Sequence, residues 1–258
     1  MSVDLEKYDG VVVLTLNRPE KLNSLDRSMR DQLQAAWATA SADPSVRAVV
    51  ITGTGERAFS TGNDLSATPP SAAPFAAEVF GPGDGDSLLK GLHPDLPVIA
   101  AVNGLAIGGG FEIALGCDIR IASSTAEFAL TEAKVGSIPG AGGTQLLPRL
   151  IGRSLAMQML LTGERITAER ALQAGLVSEV LPPAELLPRA LEIARAIAAN
   201  APLSVTAIKR LVRLGDDAPL GAALQAERLA FGLIRSTGDR QEGRAAFTER
   251  RPPNFTGN

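Results

Sequence analysis

The alternation of hydrophobic and polar positions changes period several times along this chain, and each change predicts an element. Two runs, Val3–Tyr8 and the β-branched Val11–Leu16, flank a turn at Asp9 and Gly10, which predicts a β-hairpin. Residues 26–40 then form an amphipathic stretch, which predicts a helix. The chain is therefore expected to begin with a hairpin that is followed by a helix.

Short apolar runs alternate with helical patterns in the middle of the chain. The runs predict strands at 48–52, 98–102 and 118–122, and residues 111–115 follow a glycine-rich turn as the start of a helix. Repeated units of strand and helix are typical of an α/β architecture with a mostly buried sheet.

The last third of the chain has a mainly helical pattern. Residues 175–181 predict a late strand, and helices are predicted over 184–199, 203–214 and 220–234. We therefore divide the chain into an α/β core over 1–200 and a helical region over 201–258.

Scarce residue types exclude several kinds of active site. With one histidine, His93, and one cysteine, Cys117, the chain cannot form a Cys/His zinc cluster, an internal disulfide or a Cys-x-x-Cys redox pair. A Ser-His-Asp triad is disfavoured because His93 lies in a proline-bounded loop and no Gly-x-Ser-x-Gly motif is present. We predict no metal site, and a buried structural role for Cys117.

Charge and hydropathy restrict the class of partner. The net charge is -3, and one tryptophan and one tyrosine offer no broad stacking surface for nucleic acid. The chain has no charge-free run of about 18 apolar residues, so the sequence predicts no membrane-spanning helix. Asp4 and Glu6 lie where a secretion signal would be apolar. We predict a cytoplasmic protein that binds neither nucleic acid nor a membrane.

Two glycine clusters carry the most specific chemical signal. Residues 108–110 are three glycines between an apolar strand and a helix start, where backbone N–H groups can meet a phosphate or a developing oxyanion. The second cluster lies over 135–145, and each cluster adjoins a glutamate, Glu112 or Glu132, in an apolar setting. The pattern indicates two carboxylates that face a shared cavity. The alternatives are a merely tight turn, a helix-dipole role for Glu112 and a surface position for Glu132.

Short sequence blocks follow one another in a characteristic order from position 58 to position 247. They are AFSTGNDL at 58–65, PVIAAVNG at 97–104, GGGFE at 108–112, CD at 117–118, Glu132 with GSIPGAGGTQ at 136–145, LTG at 161–163, ALQAGLV at 171–177 and EGRAAF at 242–247. In these blocks the chain resembles the crotonase superfamily, and most closely its enoyl-CoA hydratases. The resemblance implies a spiral of repeated ββα units, with 201–258 forming a homotrimer or a dimer of trimers.

An acyl-CoA thioester is the substrate that the resemblance implies. The backbone N–H groups of Asn63 and Gly109 would hold the thioester enolate, which suits the glycine-lined donors. Glu112 and Glu132 would be the catalytic pair for syn addition of water to a trans-2-enoyl-CoA, giving a 3-hydroxyacyl-CoA. The backbone of Gly140 would contact the water. No cofactor is implied, because coenzyme A is part of the substrate.

Contacts to coenzyme A depart from the family pattern. The family often has a lysine where this chain has Ser66, so other cations are expected to contact the CoA phosphates, although surface arginines can simply aid solubility. The candidate contacts are Arg18, Lys21, Ser60, Asp64, Leu65, Arg250 and Arg251. Residues 66–87, rich in Pro, Ala and Gly, predict a surface loop, with a wall of the substrate pocket as the alternative.

Other reactions of the superfamily are the main alternatives to hydration. Isomerases that move a 3-enoyl double bond typically need only the carboxylate that matches Glu132, so the presence of Glu112 as well favours a hydratase. Another crotonase-type lyase or decarboxylase also stays open. A CoA-ester binding protein without turnover is disfavoured, because two buried carboxylates are costly to desolvate.

Overall fold

The computed structural model describes residues 2–66 and 95–258. Predictions for His93 and for 67–87 lie outside these residues. The described strands are β1 Val3–Tyr8, β2 Val11–Leu16, β3 Ala48–Gly53, β4 Ala58–Ser60, β5 Val98–Val102, β6 Leu105–Ile107, β7 Ile119–Ser123, β8 Glu127–Ala129, β9 Ile166–Thr167 and β10 Glu179–Leu181. The described α-helices are α1 Arg27–Ala42, α2 Gly109–Gly116, α3 Gly143–Ile151, α4 Arg153–Thr162, α5 Ala168–Gln173, α6 Pro183–Ala198, α7 Pro202–Asp217, α8 Leu220–Ile234 and α9 Gly238–Glu249.

Two sheets organise the α/β core. The larger sheet has the order β1-β2-β3-β5-β7-β10, in which only the β1–β2 pair is antiparallel. The hairpin pairs Val3 with Leu16 and Tyr8 with Val11, which confirms the predicted strands and turn. The smaller sheet, β4-β6-β8-β9, consists of strands of two or three residues. Such short strands leave no periodic signal, and the sequence did not predict them.

The central strands of the larger sheet, β2, β3, β5 and β7, are buried on both faces, while most of the edge strand β1 is exposed. Its two sides follow the two-residue alternation of strands, since Val12 and Leu14 join one core cluster while Val11 and Val13 join the other. Trp37 of α1 lies in the first cluster and is 1% exposed, as expected for a core residue of an amphipathic helix. The predicted, mostly buried sheet is therefore confirmed.

Most element boundaries differ from the sequence predictions by one to three residues, and the clearest differences surround α2, β7 and β10. Helix α2 begins at Gly109, two residues earlier than predicted, and β7 lies one residue later. The strand predicted from position 175 is restricted to β10, because Gly175 adopts a left-handed φ of +78° and the Leu176 N–H closes α5 on the Ala171 carbonyl. The first residues of the apolar run therefore end α5, and only its last residues form a strand.

The chain from 202 to 249 is mainly helical, as predicted, and contains α7, α8 and α9, while residues 250–258 form neither helix nor strand. Helix α9 was not among the predicted helices. The boundary at 200 falls between α6 and α7, although the division into two units stays a prediction. Among the described helices, none combines the length and the hydropathy that a membrane crossing requires.

Candidate active site

The glycine triplet places the start of α2 directly against β4. A β-carbon on Gly110 would lie 2.2 Å from the Ser60 carbonyl oxygen, so a side chain at this position would collide with backbone. Gly108 precedes the helix with a φ of +54°, a left-handed conformation that glycine adopts readily. The triplet is therefore a point of close backbone approach.

The loop after β4 brings Asn63 beside the first N–H group of α2. A β-carbon on Gly62, whose φ is +77°, would lie 2.7 Å from the Gly109 nitrogen. Asn63 follows Gly62 directly and forms a parallel bridge with Leu25. As the first residue of α2, Gly109 has no acceptor within the helix for its N–H. The two predicted oxyanion donors thus come from adjoining segments.

Glu112 projects from the first turn of α2 into the second glycine cluster. Its side chain is buried, and Oε1 accepts hydrogen bonds from the N–H groups of Ala141 at 2.7 Å and Gly143 at 2.9 Å. A β-carbon on Gly143 would lie 3.2 Å from the same oxygen. The backbone of the second cluster therefore orients the Glu112 carboxylate.

Glu132 begins a 3₁₀ turn, Glu132–Val135, and its carboxylate faces the start of α2. The side chain is half-buried, which contradicts the surface alternative, and Oε1 lies 3.1 Å from the position of a β-carbon on Gly108. Oε2 is buried and has no hydrogen-bond partner among the described residues. Burial raises the pKa of Glu132, and the charge of Glu112 raises it further, against a lowering contribution from its own backbone N–H.

Gly140 lies one residue before the backbone that contacts Glu112. It is exposed, and no described atom lies within 4 Å of a β-carbon built on it. The donors that the structure identifies are Gly143, one of the clustered glycines, and Ala141, which sequence reasoning did not single out. The clustered glycines were the available signal, because they indicated a backbone that comes close to a ligand or a side chain. A contact from Gly140 to water stays a prediction.

Three of the candidate CoA contacts, Arg18, Ser60 and Asp64, bond within or against the loop that carries Asn63. Arg18 Nη1 lies 2.9 Å from Asp64 Oδ2 and 3.3 Å from Asp26 Oδ2. The Ser66 hydroxyl, with a smaller contribution from Arg18, holds the pKa of the buried Asp64 carboxyl below its usual range, against the effect of desolvation. Ser60 is also buried, and its Oγ accepts from the Gly62 N–H at 3.2 Å. These side chains stabilise the loop, and a contact to CoA stays a prediction for each.

The remaining CoA candidates differ in how free their side chains are. Lys21 and Leu65 are exposed. Arg250 ends α9 in a left-handed conformation, with a φ of +57°. Arg251 is paired with Glu242, at 2.6 and 2.9 Å, and also with Glu249. A role of Arg251 in binding a phosphate would require competition with these carboxylates.

The far end of α2 has a structural role. Burial raises the pKa of the Cys117 thiol to about 12, as expected for an unreactive core cysteine. Asp118 Oδ2 accepts from the Val98 N–H at 2.8 Å, so this carboxylate satisfies a backbone group at the junction of helix and strand. In the part of the chain that the structure describes, no three His, Cys, Asp or Glu side chains form a group able to hold a metal ion.

Comparisons with known proteins agree with this geometry. The model of the enoyl-CoA hydratase/isomerase family matches residues 6–258. The chain is 49% identical to an (E)-benzylidenesuccinyl-CoA hydratase of Thauera aromatica over the full length of both, and 40% identical to a crotonyl-CoA hydratase of Syntrophomonas wolfei over 98% of this chain and 97% of that one. The crystal structure of an enoyl-CoA hydratase from Bacillus anthracis superposes with a TM-score of 0.90 at 36% identity and full coverage of both chains.

Proposed function

Because the chain belongs to the enoyl-CoA hydratase/isomerase family, we propose that it adds water to the double bond of a trans-2-enoyl-CoA. The product is a 3-hydroxyacyl-CoA. Hydration is preferred over double-bond isomerisation because this site holds two carboxylates, Glu112 and Glu132, near one helix start.

The observation that carries the proposal is the unequal environment of the two glutamates. Oε1 of Glu112 accepts two backbone hydrogen bonds, which fix that carboxylate in place. Burial raises the pKa of Glu132, and its buried Oε2 has no partner among the described residues. A pair of carboxyl groups in different environments is suited to divide the tasks of base and acid.

Each glutamate has one task in the proposed reaction. Glu112 orients the water and accepts a proton from it while the water oxygen forms its bond to C3. Glu132 holds the other side of the water and delivers a proton to C2, so that one water is added in total and the proton passes between the carboxylates to restore the site. The N–H groups of Asn63 and Gly109 stabilise the enolate oxygen of the thioester, a contribution worth about 3 kcal/mol per donor.

The acyl group of the substrate is proposed from the relatives. The 49% identical relative is named for benzylidenesuccinyl-CoA and the 40% identical one for crotonyl-CoA, so a substituted and a short enoyl-CoA are the first substrates to compare. We further propose that the working unit is a homotrimer or a dimer of trimers. The cytoplasmic location stays a prediction.

Loss of the conjugated thioester absorbance tests the proposed reaction. The wild type should consume crotonyl-CoA, (E)-benzylidenesuccinyl-CoA or both, and Glu112→Gln and Glu132→Gln should each be slower by roughly 10²- to 10⁴-fold. The absence of turnover with short, long and aryl-substituted enoyl-CoA would contradict the proposal. If Glu112→Gln kept full activity on a 3-enoyl-CoA while Glu132→Gln lost it, the protein would be an isomerase.

A further inference from the structure

Two asparagine side chains meet at one carbonyl oxygen just before the loop that carries Asn63. Asn23 Nδ2 donates to the Ala58 carbonyl at 2.8 Å, and Asn103 Nδ2 donates to the same oxygen at 3.1 Å. Ala58 begins β4, which leads through Gly62 to Asn63. We call Asn23 and Asn103 the asparagine pair, and neither belongs to the catalytic residues above.

Asn23 is fully buried, and its polar groups are used within the protein. Its Oδ1 accepts from the Arg18 N–H at 2.9 Å, and Nδ2 also donates to the Thr54 carbonyl at 3.1 Å. Its backbone φ is +54°, in the left-handed region that asparagine tolerates better than most residues. A buried amide in this conformation is maintained only because several contacts fix it together.

Asn103 holds the same carbonyl from the other side, within tightly packed backbone. Its Oδ1 accepts from the Gly53 N–H at 3.0 Å, and Nδ2 also donates to the Gly55 carbonyl at 2.7 Å. A β-carbon on Gly53 would lie 2.5 Å from the Ala58 oxygen, and one on Gly104 would lie 2.7 Å from the Ala58 nitrogen. The Ala58 peptide therefore has little room to shift while these bonds are intact.

The C-terminal end of β4 and the residues after it pack against the backbone that carries both oxyanion donors. The Ser60 carbonyl abuts Gly110, as the 2.2 Å approach described above shows, and Gly62 abuts the Gly109 nitrogen. Because these contacts are between backbone atoms, a displacement of β4 cannot be absorbed by a side-chain rotation. It must change the position of the Asn63 N–H relative to that of Gly109.

We propose that Asn23 and Asn103 are positioning residues, which set the separation and direction of the oxyanion donors through the Ala58 carbonyl. The inference rests on the proposed function, since it assigns the asparagine pair a task in the stabilisation of a thioester enolate. Neither asparagine touches the substrate, so the expected defect lies in the rate of the chemical step and not in binding.

Substitution of Asn103 tests the proposal most directly. Asn103→Asp keeps the side-chain shape and the acceptor for Gly53, and places an oxygen where N–H donors faced the Gly55 and Ala58 carbonyls. We expect kcat to fall about 10- to 100-fold while KM changes less than about threefold, because a small misplacement of catalytic groups has effects of this size. Asn103→Ala, which removes the donors without adding charge, should reduce kcat in the same way.

A second readout reports on the donors without turnover. The 4-(dimethylamino)cinnamoyl thioester of CoA absorbs at longer wavelength when its carbonyl is polarised, so bound to the wild type it should show a red shift. Asn103→Asp and Asn103→Ala should lose at least half of this shift. The matched control is Ser123→Ala, which removes a buried hydroxyl that contacts Thr125 Oγ1 at 2.9 Å and accepts from the Thr125 N–H at 3.3 Å, and that makes no hydrogen bond to either asparagine among the described residues. It should lower the melting temperature but keep kcat and the spectral shift.

Each outcome decides the inference. Wild-type kcat and red shift in both Asn103 variants would overturn it, as would a loss in Ser123→Ala that equals theirs. If the wild type shifted the absorbance but hydrated no enoyl-CoA, the proposed function would fail. The role of the asparagine pair would then be tested only by comparing the red shift of the Asn103 variants with that of the wild type. A wild type with neither turnover nor shift would overturn both.

Discussion

At the scale of single residues, this site depends on where carboxylates meet glycine backbone. Glu112 is held by the N–H groups of Ala141 and Gly143, and Glu132 lies against Gly108. Glycine at these positions lets acidic side chains approach peptide groups that a β-carbon would keep away. The consequences differ for a carboxylate and for a glycine, and each can be measured.

The raised pKa of Glu132 predicts a pH-dependent effect of Glu132→Gln on stability. The folded protein binds this proton more tightly than the unfolded chain does, so the contribution of Glu132 to the free energy of unfolding decreases as the pH rises from the ordinary carboxyl range through the folded pKa. Glu132→Gln has no ionisable group at this position, so its free energy of unfolding does not decrease for this reason. It should gain stability relative to the wild type as the pH rises above the ordinary carboxyl range of about 4.

Urea unfolding at a series of pH values measures this difference, with the exposed Glu185→Gln as the matched control. The control should follow the wild type across the range. A difference between Glu132→Gln and the wild type that did not change with pH would contradict the prediction.

Gly110→Ala should destabilise the protein and reduce its activity together. The new methyl group would lie 2.2 Å from the Ser60 oxygen, so β4 and α2 must move apart at a cost of about 1–3 kcal/mol. Gly215→Ala is the control, because a β-carbon there meets no described atom within 4 Å inside α7, and it should stabilise by about 0.5–1 kcal/mol. Thermal unfolding and hydration assays on both variants measure the effect, and a Gly110→Ala protein as stable as Gly215→Ala would refute it.

At the scale of elements, a buried ion pair joins the C-terminal helices to the core. Lys209 of α7 donates to Asp118 Oδ2 and to the Leu96 carbonyl, both at 2.6 Å, and Arg213 approaches the other Asp118 oxygen at 3.4 Å. Burial lowers the pKa of Lys209, against the opposing effect of Asp118. This contact connects α7 to the end of α2 and the start of β5.

Lys209→Met should cost about 1–3 kcal/mol of unfolding free energy, because a partly buried carboxylate loses its nearest cation. Asp118→Asn in the same chain should recover part of this loss. Arg210→Ala is the matched control on the same helix, since the pair of Arg210 with Asp95 is exposed and should contribute little to stability. Chemical denaturation separates these cases, and equal losses for Lys209→Met and Arg210→Ala would disprove the distinction.

Sequence periodicity predicted the elements that are long and uniform. The hairpin and helices α6 to α8 matched closely, because apolar positions recur over several turns or several strand residues. The short strands β4 and β6 carry no such pattern, although they position the loop of Asn63. They form because tertiary contacts align them, and no local propensity records those contacts.

Some parts of the site could be predicted from the sequence and others could not. Glu112, Glu132 and the glycine clusters could be found from residue type and from family resemblance. The hydrogen bonds of Ala141 and of the asparagine pair could not, because they join residues 29, 35 and 45 positions apart in the chain. A peptide N–H belongs to almost every residue, so the sequence cannot indicate which one will donate.

At the scale of the whole molecule, the match over residues 6–258 confirms the fold and family that the sequence blocks indicated. The exposed apolar side chains of α7 and α8 give physical support to the proposed trimer. They include Ile208, Val212, Leu220, Leu229, Phe231 and Leu233. So many exposed apolar residues on neighbouring helices are typical of a surface that is covered in an assembly.

Sedimentation should therefore give three or six times the mass of one chain at micromolar concentration. Phe231→Asp should shift the population toward monomer, because a charge would be buried on association. Leu5→Asp on the hairpin is the control at a similarly apolar, exposed position and should leave the mass unchanged. A wild type that sediments as a monomer would contradict the proposed assembly.

The hold of Ala141 on Glu112 has a consequence for mutational scanning. An alanine scan leaves this residue untouched, and most other substitutions would keep the peptide N–H that makes the 2.7 Å bond. A deep mutational map would therefore report at position 141 mainly how well a larger side chain packs at this buried position, although its main chain orients Glu112, the proposed general base. Only proline, or an ester in place of the amide, would remove the N–H itself, so the response to other substitutions at this position does not measure what the N–H contributes.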